Sequence, residues 1–173
     1  MNSIQLWPNL IRFVGLVALQ VLLFQQVSLT LGPYFNVLIY PLFILLLPME
    51  TPTPLSVFLG FAVGFTVDMF YGTLGLHASA GTFSGFLRAF LLKAFEPKGG
   101  YSGKELLPAP HYFDWQWFLT VSGLFVLLHC FWFFSVDTFT LVYIGSIALK
   151  ALAAWGLSMI FVVMIVFLFN PKH

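Results

Sequence analysis

Residues 58–92 hold two apolar runs, each close to membrane-spanning length, and each carries a full charge: Asp68 in the first and Arg88 in the second. Only a short glycine-rich turn separates the runs. This stretch constrains the fold more than any other. A charge inside an apolar helix faces protein or water rather than lipid, and a short connection sets two helices side by side. Gly60, Gly64, Asp68 and Gly72 recur at every fourth residue, which puts them on one stripe of a helix. Ala78, Gly81, Gly85 and Arg88 or Ala89 form a similar stripe on the second run, with Gly75 in the turn. Lipid supplies no hydrophobic effect to draw helices together, so small residues matter because they let backbones approach. The stretch predicts a tightly packed helical hairpin with an acid in its seam.

Composition extends this to the whole chain. Of its 173 residues, 60% are apolar and 8% charged, against about 25% charged in a soluble domain. With a mean hydropathy of +0.97, the chain reads as an all-α polytopic membrane protein. Its length suits a single domain over residues 1–173 of six transmembrane helices, at roughly 20 residues each. A net charge of +1 gives no electrostatic claim on nucleic acid. Cys130 is the one cysteine and has no partner for a disulfide or a metal.

The expected spans cover residues 10–31, 36–48, 55–71, 77–95, 116–134 and 147–169. The first follows Arg12 with no small-residue cleavage site behind it, so it reads as an uncleaved span. The second is short and carries Pro41, which suggests either a kinked span or one that uses residues from the Pro33 side to reach both interfaces. Residues 96–114, with three prolines and both charge signs, read as a long, solvated and disordered cytoplasmic loop. Residues 135–138 read as a turn, and 139–146 as an interfacial lead-in to the last span. Arg12, Lys93, Lys98, Lys104 and Lys172 fall on one side of a six-span topology. The positive-inside bias then makes both termini cytoplasmic.

Asp68 admits two readings: an ion relay, substrate or partner contact, or a structural hydrogen bond to amides or hydroxyls of a neighbouring helix. Its position about four residues before Gly72, roughly 6 Å from the helix end, favours the structural one. Arg88 lies roughly 9 Å deeper than Asp68 in an antiparallel hairpin, which argues against a direct pair and for snorkelling towards the headgroups. With the last span starting at 147, Lys150 reads as snorkelling outward near Asp137; a start near Leu141 would bury it instead. His129 reads as a histidine hydrogen-bonded to a neighbouring helix. The histidines show no metal spacing, the zinc-protease and serine-hydrolase motifs are missing, and one deep acid makes no catalytic pair. These points argue against an enzyme and against a cofactor.

The run from Pro41 to Pro48, then GFAVGFTVD, then YGTLGLHA, and an arginine late in the next helix resemble the bacterial rod shape-determining MreD family. The residues that carry the resemblance are Gly60, Gly64, Asp68, Gly72, Gly75, Ala78 and Arg88. The resemblance implies a non-catalytic scaffold of the cell-elongation machinery in the bacterial inner membrane. It implies pairing with an MreC-like bitopic protein and links to the MreB filament and the RodA–transpeptidase synthase, with membrane lipid around it. It also implies a fold similar to the substrate-binding component of energy-coupling-factor vitamin transporters. That component is itself the rival functional reading, and it needs a polar pocket at the outer helix ends. A membrane assembly factor is a third.

Overall fold

A computed structural model describes residues 3–26, 30, 36–101 and 106–169. Among them every regular element is helical. Helix α1 covers Ser3–Leu19 and continues through a π-helical turn at Gln20–Phe24. Then come α2 at Pro41–Leu45, α3 at Thr53–Tyr71, α4 at Leu76–Ala94, α5 at Trp115–Thr138 and α6 at Ile144–Phe169. Four segments are long and apolar enough to cross a membrane: Trp7–Phe24, Thr53–Tyr71, Trp115–Thr138 and Ile144–Leu168. Helix α4 is less apolar, but it has the same 19 residues as α3 and packs along it.

The main departure from the sequence expectation is the second segment. Residues 36–48 are not one continuous helix, kinked or straight. Residues 36–39 are non-helical, and a five-residue helix follows. Pro41 begins that helix rather than bending it, because its fixed φ suits the first turn and its missing N–H is not needed there. The segment lies in the middle of the bundle: Ile39, Tyr40 and Ile44 are fully buried, and α1, α3, α4 and α5 all touch α2. Non-helical backbone is tolerated at membrane depth only inside protein and with its polar groups paired. Here side chains pair them. Gln20 donates to the Val37 carbonyl at 2.9 Å and accepts the Ile39 N–H at 2.8 Å. Ser158 Oγ of α6 accepts the Leu38 N–H at 2.8 Å. Gln20 opens the π-helical turn, and Tyr71 Oη donates to its backbone carbonyl.

The α3–α4 hairpin makes the most extensive helix contact in the molecule. Gly60 lies against the Gly81 carbonyl and Gly81 against the Gly60 carbonyl, so a Cβ at either position would run into backbone. A Cβ on Gly64 would come within 2.7 Å of Ala78 Cα, and one on Gly85 within 2.5 Å of Val57 Cα. Helix α5 then packs antiparallel on α4, with Phe83 stacked on Trp132 at 4.5 Å and Trp117 Nε1 donating to the Phe95 carbonyl at 2.7 Å.

Other boundaries move. Residues 135–138 are helical, so Asp137 sits in the last turn of α5 rather than in a turn between spans. A 3-10 turn at Leu141–Tyr143 leads directly into α6, which begins three residues earlier than expected. No Asp137–Lys150 ion pair forms. The first part of the expected solvated loop, residues 96–100, is exposed, while its later part folds onto the bundle: Pro108 is buried, the Leu106 carbonyl accepts the Met49 N–H at 3.0 Å, and Phe113 stacks on Trp117 at 4.0 Å. Its Lys104, the expected Gly32–Pro33 turn and Lys172 lie outside the described residues.

Candidate functional site

The sequence singles out Asp68 and Arg88, and the structure gives each a different helix end to hold. Helix α3 stops at Gly72, whose φ of 68° closes the helix with a left-handed turn. Helix α4 starts at Gly75, also left-handed at φ 84°. Glycine has no side chain to cap the helix it begins, so the first-turn N–H groups of α4 need another acceptor. Asp68 provides it from the preceding helix. Its Oδ1 accepts the His77 N–H at 3.0 Å and its Oδ2 the Ala78 N–H at 2.8 Å. Thr73 Oγ1 and His77 Nδ1 also donate to Oδ1, the latter at 3.0 Å. The carboxylate is 3% exposed and fully engaged, and its negative charge faces the positive end of the α4 dipole.

Arg88 does not snorkel. It is 2% exposed and turns inward to the C-terminal end of α2. Nε donates to the Leu45 carbonyl at 3.2 Å, and Nη2 to those of Leu47 and Pro48 at 2.6 and 2.9 Å. Leu45 ends the five-residue helix, which leaves its carbonyl unpaired; those of Leu47 and Pro48 follow the helix, and the Pro48 carbonyl also accepts the Thr51 N–H at 3.0 Å. A planar guanidinium with several fixed donors meets them where a lysine ammonium would not. There is no Asp68–Arg88 ion pair; the two charges sit at the two ends of different helices. Gly60, Gly64, Gly81 and Gly85 form the seam that brings them into position, while Gly72 and Gly75 shape the turn and do not pack against a neighbour.

A buried polar cluster adjoins the Asp68 cap. His77 packs against Tyr40, Tyr71 and Phe133 at centroid distances of 5.6, 4.8 and 4.9 Å. On the other side of Tyr40, His129 of α5 lies at 5.2 Å and shares a 2.6 Å hydrogen bond with Ser84 of α4. With Nδ1 donating to Asp68, a neutral His77 has its lone pair on Nε2. That nitrogen, like His129 Nε2, is buried and meets no hydrogen-bond partner among the described residues. The hydroxyl that meets the pair, Thr73 Oγ1, lies on the Asp68 side, 3.2 Å from His77 Nδ1, while His77 Nε2, where a nucleophilic triad would hold its hydroxyl or thiol, meets none among the described residues. Among the described residues no group of three His, Cys, Asp or Glu is placed to hold a metal.

The sequence reading gives no role to Gln20, Tyr40, Thr73 or Ser158. Polar residues recur in many membrane helices. What would have marked Gln20 and Ser158 is the presence of two apolar-helix amides and hydroxyls beside a segment too short to satisfy its own backbone. No protein-family model matches the chain, and comparison with curated proteins and with solved structures returns no match.

Proposed function

We propose that this protein is a non-catalytic scaffold of the cell-elongation machinery in the bacterial inner membrane, a member of the MreD type. It pairs with an MreC-like bitopic protein and through it with the filament and synthase that extend the side wall. Its six passes run as α1, the 36–48 segment, α3, α4, α5 and α6, in an arrangement similar to the substrate-binding component of energy-coupling-factor transporters. The start of α1, the 49–52 turn and the 96–114 loop share one end of the bundle, because Leu106 bonds Met49 and the loop lies beside Arg12. That end carries Arg12, Lys93 and Lys98, so it faces the cytoplasm.

The observation that carries this reading is the 41–88 stretch. It holds the residues of the resemblance, and those residues are engaged in building the bundle: the half-helix, the glycine seam and both charged caps. Asp68 and Arg88 are both taken up as helix caps, which leaves neither free for a reaction or a transport path. Contact with a partner falls to helix faces, such as the outer face of α3, where Phe58, Phe61, Phe65 and Met69 are exposed. Depletion of the protein from its bacterial host tests this. Loss of cylindrical shape with rounding is the expected result, and unchanged shape and width count against the reading.

A further inference from the structure

A cavity of about 600 Å³ lies away from the Asp68 and Arg88 caps. It falls within the range of about 300–1,000 Å³ typical of small-molecule sites. It is a crevice between α1 and the end of α6. At one end the two helices meet, with Phe24 packed edge-on to Phe161 at 4.7 Å. Towards the α1 start they separate, and the buried half-helix shows between them as a floor of Leu42 and Leu46. Leu16 and Leu19 form one wall and Ile165 and Val166 the other. The described part of the 96–114 loop covers the end, with His111 and Tyr112 at the rim.

Arg12 stands at that rim, and among the described residues its one hydrogen bond is to Asn9 Oδ1 at 3.1 Å. Asn9 is three residues nearer the helix start, so the guanidinium points back towards the interface marked by exposed Trp7. No carboxylate among the described residues lies within ion-pair distance of it. Apolar walls wide enough for a chain, under an uncompensated cation with a tyrosine and a histidine beside it, match an amphiphile with an acyl tail and an anionic head. Gly15 sits at the mouth, and a Cβ there would meet nothing within 4 Å, so no described residue fills the space beside it.

We propose that this crevice binds one anionic phospholipid, with an acyl chain between α1 and α6 and its phosphate on Arg12. The crevice shares Leu42 and Leu46 with the half-helix, and the cytoplasmic placement of Arg12 rests on the scaffold reading; lipid retention itself needs no protein partner. Guanidinium and phosphate form charge-assisted, paired hydrogen bonds, and a basic residue at the cytoplasmic surface attracts anionic lipid.

Native mass spectrometry tests the proposal on the full chain, delipidated in detergent and titrated with phosphatidylglycerol or phosphatidylcholine. The wild type should retain one lipid, with phosphatidylglycerol preferred. Arg12→Gln should weaken phosphatidylglycerol by about fivefold, the effect of one interfacial cation, and leave phosphatidylcholine unchanged. Gly15→Phe, whose ring enters open space, should lower retention of both lipids without lowering the melting midpoint. Equal retention and equal head-group preference in all three proteins would overturn the site. So would a Gly15→Phe variant that keeps its lipid but loses a co-purifying bitopic protein, since the crevice would then belong to a partner helix. Inorganic phosphate competing as well as the lipid would reduce the site to a surface anion contact and also reject it.

Discussion

The carboxylate of Asp68 accepts the backbone N–H of Ala78 at 2.8 Å, so the last turn of one helix caps the first turn of the next. Ten residues of sequence and a two-glycine turn separate the groups. The cap is thus a statement about the hairpin as a whole: it exists only when α3 and α4 are docked.

Asp68→Asn should lower stability by about 1.5–3 kcal/mol, the range for a hydrogen-bonded charge. An amide presents one acceptor oxygen where the carboxylate presents two, so its NH₂ group would face either the Ala78 N–H or the donors on Oδ1. Asp68→Leu should cost more, because the His77 and Ala78 N–H groups are then both left without acceptors. Thermal unfolding of the purified variants in detergent measures this, and equal midpoints for wild type and Asp68→Asn would remove the cap from the account.

Arg88→Lys separates capping from snorkelling. A snorkelling arginine is replaced by lysine with little effect. At a three-carbonyl cap the lysine cannot reproduce the fork and keeps a buried charge, so a loss of about 2–4 kcal/mol is expected, with Arg88→Met comparable. Unfolding midpoints again decide; a neutral Arg88→Lys would return Arg88 to the membrane surface.

The seam predicts a split among glycines. Gly60→Ala and Gly81→Ala each place a Cβ against backbone that cannot move aside, and each should destabilise by about 2–4 kcal/mol, a large value for a single substitution. Gly123→Ala and Gly156→Ala, where a Cβ meets nothing within 4 Å, should be neutral or stabilising by about 0.5–1 kcal/mol. Four variants in one melting series suffice, and uniform behaviour would contradict the close packing.

Gln20→Leu leaves the Val37 carbonyl and the Ile39 N–H unpaired at membrane depth, at about 1–3 kcal/mol for each group. Ser158→Ala exposes a single N–H, that of Leu38, and should cost about half as much. Limited proteolysis should then cut first near residues 36–39 in Gln20→Leu; protection equal to the wild type would mean another group has taken over the pairing.

The hairpin was legible because its signals are local: a four-residue repeat of small residues, two glycines at a turn and an acid one turn before it. Residues 36–48 were not, because Pro-flanked apolar runs look alike whether they cross lipid or fill a bundle. The difference lies in Gln20 and Ser158, which are 17 or more residues distant in sequence from the groups they pair. Arg88 was misread for the same reason. Depth along a helix can be counted from sequence, whereas the carbonyls it caps, 40 to 43 residues away, cannot be placed without the fold. The 96–114 loop has the composition of a solvated segment, and its packing depends on Phe113, Tyr101 and Trp117 meeting in space.

The most direct test of the scaffold reading is affinity purification of the tagged protein from mild detergent, with mass spectrometry of what accompanies it. Recovery of an MreC-like bitopic protein, together with the RodA–transpeptidase synthase, is the predicted result. Recovery of a pair of ATPases with a coupling membrane subunit would contradict it and make the chain the binding component of a vitamin transporter.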